Sequence, residues 1–209
     1  MQLSDSSLMR MATIASVLVA IFLIVIKLIA YILTGSVSLL SSLLDSFLDS
    51  LASIINLIAV HHALVPADDE HRFGHGKAEA LAGFSQAGFI IASSGFLLFE
   101  AINRIRNPQI LEHVDIGIIV IVISIVTTFL LVSFQRYVVK QTASIAIQAD
   151  SIHYLSDFLL NFAVIIALLL SSQLKLSWID PLFAVLIAVY IFFTARKILL
   201  HSLDQLMDR

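Results

Sequence analysis

The chain of 209 residues has no cysteine, which removes disulfides, thiolate metal sites and cysteine nucleophiles together. Charge is also scarce: 13% of residues are Asp, Glu, Lys or Arg, and the formal net charge is −3. That balance gives no basic field for nucleic acid. The N-terminal MQLSDSSLMRM lacks the basic region and small-residue cleavage site of a removed signal peptide, and the apolar stretch after it is too long for one. Proline occurs three times, as Pro66, Pro108 and Pro181, each at or near a break in apolar sequence. What remains is 59% hydrophobic. A soluble domain of this length needs more polar surface to cover its core, so the composition predicts an integral membrane protein.

A bilayer core about 30 Å thick needs roughly 20 apolar residues per helix. Six segments qualify, over 10–33, 37–62, 78–105, 114–136, 142–171 and 179–201. Turn chemistry separates them at Thr34-Gly35-Ser36, Pro66 to Gly76, Asn107-Pro108, an Arg136–Lys140 corner, and Ser171 to Ser177. The expected fold is therefore all-α, with six transmembrane helices forming one domain over 1–209. Six spans place both termini on one side. Arg10, Arg72, Lys77, Arg136, Lys140, Arg196, Lys197 and Arg209 lie on that side, against Arg104, Arg106 and Lys175 on the other. The positive-inside rule puts both termini in the cytoplasm. Lys27 falls inside the first span, where it either snorkels outward or pairs within the bundle.

The second and fifth spans carry ionisable residues that hydrocarbon disfavours. LDSFLDS sets Asp45 and Asp49 one turn apart, with Ser53 and Asn56 continuing the stripe. ADSIHYLSDFLLN sets His153 and Asp157 at the same spacing, with Asp150 and Asn161 extending that face. At a rise of about 1.5 Å per residue, Asp45 and His153 lie roughly 13 and 16 Å from opposite ends of their spans. Both pairs thus approach the midplane. The matching pairs also suggest that helices 1–3 and 4–6 are inverted units around a midplane site.

An unpaired Asp at a helix centre costs about 2.5–3.5 kcal/mol on insertion scales. Three carboxylates in one small volume also repel one another. A divalent cation relieves both penalties, and three carboxylates with one imidazole suit tetrahedral Zn²⁺. Cd²⁺ and Fe²⁺ fit as well, whereas Mg²⁺ and Ca²⁺ prefer all-oxygen shells. Two alternatives use the same residues: separate structural polar groups, or a proton relay without metal.

The loop VPADDEHRFGHGKAEA supplies a D-x₂-H-x₃-H spacing in Asp68, His71 and His75, with Gly74 and Gly76 permitting a sharp turn. Asp69, Glu70 and Glu79 add negative charge. The spacing predicts a second metal site, against a solvated loop with incidental histidines. His61 and His62 read as interfacial residues, and His113 and His201 receive no role.

LLDSFLDS, PADDEHRFGHGKAEALA and ADSIHYLSD, in that order, resemble the motifs of the cation diffusion facilitators. The resemblance runs over essentially the whole chain. It implies a six-helix homodimeric transporter of a bacterial cell inner membrane that exports zinc, cadmium or ferrous iron from the cytoplasm against entering protons. By motif, Asp45, Asp49, His153 and Asp157 form the intramembrane site, and Asp68, His71 and His75 the loop site. Lys77 and Asp208 match a salt-bridge interlock near the dimer interface. Histidine in the span-five pair accompanies zinc and cadmium in this family, and an all-oxygen set accompanies manganese. Members of this type continue past the sixth span into a cytoplasmic ferredoxin-like domain, which is expected to be absent from this chain.

The resulting expectation is a transporter, not an enzyme, working by alternating access with metal and protons competing for the same ligands. A metal-gated channel or sensor is one alternative. An intramembrane aspartyl protease is another, although it needs two carboxylates close enough to share a proton, and Asp45 and Asp49 lie on one helix. A serine-type enzyme finds no evident base beside Ser93-Ser94-Gly95.

Overall fold

The computed structural model describes residues 4–35, 37–69, 71–72, 74–106, 114–174 and 179–208, without the side chains at 37–38, 41, 104–105, 114–115, 167–174 and 179–181. Ser36, Glu70, Asn107-Pro108, His113, Lys175 and Arg209 lie outside the described residues, as does the Arg104 side chain.

Six helices account for the described chain apart from short connections: α1 Asp5–Thr34, α2 Val37–Ala63, α3 Lys77–Arg106, α4 Val114–Thr142, α5 Ile145–Leu174 and α6 Ile179–Leu206. Each is long and apolar enough to cross a membrane. Large apolar side chains such as Leu18, Ile32, Phe96, Leu130 and Phe193 point outward, as lipid-facing residues do.

The helices outrun the apolar segments because leaving hydrocarbon ends a span without ending a helix. At the start, Ser4 caps α1 by accepting from the Ser7 N–H, and Asp5 sits in the first turn. At its end Gly35 takes the left-handed conformation (φ 63°) and donates its N–H to the Tyr31 carbonyl.

The expected corner at Arg136–Lys140 is overturned, since α4 continues through it to Thr142. Those two charges are an i, i+4 pair on a helix that has left the apolar layer, where charge costs little. The chain turns instead at Ala143, in the left-handed region at φ 52°. Ser144 then starts α5, its hydroxyl accepting from the Ile147 N–H at 3.3 Å.

α5 packs against all five other helices. From Ile145 to Ser156 every residue on it except Gln148 is buried or half-buried. α3 lies chiefly along α6. Gly83 allows that approach: a Cβ there would stand 2.6 Å from Ile145 Cγ2 and 2.9 Å from Ser202 Oγ. The second and fifth spans therefore meet inside the bundle, with α5 at its centre.

Candidate metal sites

Asp49 on α2 and His153 and Asp157 on α5 bring one ligand atom each to within 4.8 Å of one another. His153 is buried and Asp49 is mostly covered. His153 Nε2 lies 3.0 Å from Asp49 Oδ1, yet that nitrogen makes no aligned hydrogen bond. Close approach without hydrogen-bond alignment is expected of donors that converge on a common point. Two carboxylates and an imidazole on membrane-spanning helices fit a divalent cation of borderline softness.

Asp45 is not one of the three. It sits exposed on α2, a turn nearer the helix start. Between the two aspartates, buried Ser46 accepts a hydrogen bond from Lys27 Nζ at 2.6 Å, and the same ammonium reaches the Ser42 carbonyl at 3.2 Å. Lys27 is therefore paired inside the bundle, holding α1 to the ligand-bearing helix.

Next to this cluster lies a network that the residue pattern did not reveal. Asp150 is buried, and its Oδ2 accepts from Ser16 Oγ at 2.5 Å and from Gln135 Nε2 at 2.6 Å. Its Oδ1 accepts from Gln86 Nε2 at 2.8 Å. Four helices, α1, α3, α4 and α5, are tied through one carboxylate that is fully engaged with donors. Tyr154 adds a parallel link, donating to the Ser16 carbonyl at 3.2 Å while Ser53 contacts its oxygen at 2.8 Å. Glutamines 86 and 135 within apolar helices were the available signal, because buried amides in a membrane seek partners on other helices. Asn161 turns back to its own helix, donating to the Asp157 carbonyl. Asn56 is buried with neither amide atom hydrogen-bonded among the described residues.

The loop cluster is built differently. Asp68, His71 and His75 bring one ligand atom each within 4.8 Å. His71 Nδ1 is 3.3 Å from Asp68 Oδ1, and His75 Nε2 is 3.5 Å from Asp68 Oδ2. A tight turn makes this possible. The His71 N–H donates to Asp68 Oδ1 at 2.6 Å, and Gly74, at φ 79°, donates to the His71 carbonyl. The His71 N–H is the main influence holding the Asp68 carboxyl below the ordinary carboxylate range. His75 is buried, and its Nδ1 has no hydrogen-bond partner. His75 thus faces Asp68 through Nε2 and keeps a second, buried nitrogen without a hydrogen-bond partner. The His62 ring, read as interfacial from sequence, packs edge-on against His75 with centroids 4.6 Å apart. His61 is exposed. Lys77 and Asp208 form an ion pair of 2.9 Å between the start of α3 and the residues after α6.

The cation efflux transmembrane domain matches residues 13–207. The cation-efflux pump FieF of Shewanella oneidensis is 49% identical over 200 residues, covering 96% of this chain and 67% of that protein. The same-named pump of Pectobacterium atrosepticum is 46% identical over 202 residues, with 97% and 67% covered. That of Klebsiella pneumoniae is 42% identical over 214 residues, with 100% and 69% covered. The protease alternative falls with these matches. Matched over nearly its whole length, the chain belongs to the cation efflux family, as a multi-pass transporter of the cell inner membrane and not an enzyme.

Proposed function

We propose that the chain exports Zn²⁺, with Cd²⁺ and Fe²⁺ as further substrates, from the cytoplasm in exchange for protons. Asp49, His153 and Asp157 hold the ion within the bundle, and Asp45 joins them as fourth ligand. The observation that carries this reading is the convergence of three ligand atoms within 4.8 Å between two membrane-spanning helices of a cation efflux protein.

Coupling follows from the ligands themselves. A metal-binding carboxylate or imidazole must be deprotonated, so protons arriving from outside displace the ion, and the next ion, binding from the cytoplasm, displaces those protons. Without either, three carboxylates would share a low-dielectric space, which disfavours an unloaded return. Alternating access then amounts to helices rocking around a site near the midplane, with residues 1–209 as one transport unit built of two inverted halves. The excess of Lys and Arg at one end of the helices supports cytoplasmic termini.

Asp68, His71 and His75 form a second, cytoplasmic metal site. The transporter works as a homodimer, and the Lys77–Asp208 pair steadies the helix ends near the interface.

The test is Zn²⁺ flux in proteoliposomes with and without an imposed pH gradient. An inward proton gradient should accelerate antiport, and Asp49→Ala or His153→Ala should remove it. Flux indifferent to the gradient would end the antiport reading. Unchanged flux in both variants would end the site assignment.

A further inference from the structure

The loop cluster offers three side chains, whereas a closed tetrahedral zinc site has four protein ligands. We propose that His62, at the end of α2, is the fourth ligand, converting an open three-ligand site into a closed one. The proposal rests on the reading of Asp68, His71 and His75 as a metal site.

Ring spacing is the first argument. With Zn–N bonds of about 2.0–2.1 Å and tetrahedral angles, two imidazoles on one ion have centroids roughly 5 Å apart. His71 and His75, both in the cluster, are 4.5 Å apart, and His62 and His75 are 4.6 Å apart. His62 thus stands from the buried central histidine as a co-ligand does.

Access is the second. His62, His71 and His75 line one cleft of about 640 Å³, together with Lys77, Gln205 and Asp208. His62 itself is exposed, and among the described residues no hydrogen bond fixes its ring. Its backbone is nonetheless held, because the Val65 N–H donates to the His62 carbonyl at 3.0 Å where α2 gives way to the loop. With its backbone held and its ring exposed, side-chain rotation is the movement that would bring the His62 imidazole onto the ion. The third argument is His75 itself, buried with an unpartnered Nδ1 and in ring contact with both His62 and His71.

A closed site behaves unlike an open one. An ion with four protein ligands exchanges slowly and resides, while one with a water in the fourth position is easily handed on. His62 also lies at the end of α2, and His75 two residues before α3, so the ion would clamp the mouth of the helix pair.

The absence of cysteine provides the test. In full-length protein carrying His153→Ala, which removes the imidazole of the transport site, X-ray absorption of bound Zn²⁺ should report three imidazoles. His62→Gln should lower that to two and weaken Zn²⁺ binding by on the order of 10-fold or more. With Co²⁺ as probe, His62→Cys should introduce a thiolate-to-cobalt charge-transfer band in a protein that otherwise has no sulfur thiolate. Two imidazoles before and after His62→Gln, with no such band in His62→Cys, would overturn the fourth ligand while leaving the loop site standing. If Asp68→Ala and His71→Ala also leave metal content and affinity unchanged, the loop site itself fails, and His62 with it.

Discussion

The Asp49–His153–Asp157 cluster and the Asp68–His71–His75 cluster use the same two side-chain types, yet one lies between membrane-spanning helices and the other on a loop. In the first, the two helices hold the donors together, with His153 buried and the two carboxylates half-buried. In the second, a hydrogen-bonded turn preorganises a largely solvated carboxylate, and only His75 is buried. The comparison teaches that donor chemistry alone does not fix a site's role. Burial decides whether an uncompensated charge is costly enough to force coupling between ions.

The largest expected effect tests that division directly. Asp157→Ala should lower Zn²⁺ flux by on the order of 100-fold or more, whereas Asp68→Ala should leave most of the flux and remove only the loop metal. Proteoliposome flux and metal content measured on the same preparations decide it. Equal loss in both variants would break the comparison.

A smaller effect separates the two regions by stability. Asp150→Ala strips the common acceptor from Ser16, Gln86 and Gln135, leaving buried donors unsatisfied at a cost of about 1–3 kcal/mol. Thermal unfolding in detergent should show a clear drop. Asp68→Ala, on an exposed loop, should leave the midpoint in metal-free buffer nearly unchanged. An Asp150→Ala protein as stable as the parent would deny the network its bracing role.

The smallest effect concerns acid. The His71 N–H lowers the folded-state value of the Asp68 carboxyl, so the stabilisation it gives is fully present above the ordinary carboxylate range, about pH 4, and fades only as pH falls through the lowered value. Between roughly pH 7 and 5, Asp68 should therefore stay ionised, so that loss of the loop metal in that range does not follow its protonation. Asp68→Asn should weaken binding across this range without moving the acid midpoint of metal release. A midpoint that shifts with Asp68→Asn would show that the carboxyl titrates there after all.

Much of this was legible in the sequence. The six spans were readable because lipid imposes long apolar runs, and Asp49, His153 and Asp157 stood out because charge is rare within such runs. Helix ends were less readable, as Arg136–Lys140 shows: charge marks the edge of the apolar layer, while the backbone turns at Ala143 for conformational reasons. The partners of Asp150 were hidden because Gln86 and Gln135 are distant in sequence and only tertiary packing brings them to one carboxylate. His62 looked interfacial because its neighbour, His75, is reached only when the loop folds back. Asp45 matched Asp49 by spacing, but helical periodicity cannot say where along a shared face the partner helix stops covering it.

The position of α5 has a consequence for how this sequence can vary. A peripheral helix such as α1 presents much of its surface to lipid, where one aliphatic residue serves nearly as well as another. Along Ile145–Ser156 almost every side chain answers to a neighbouring helix. Random aliphatic substitution should therefore be absorbed readily around the rim of the bundle and rejected along this stretch, so that the packing constraint, as distinct from the ligand set, is concentrated in about three turns of one helix.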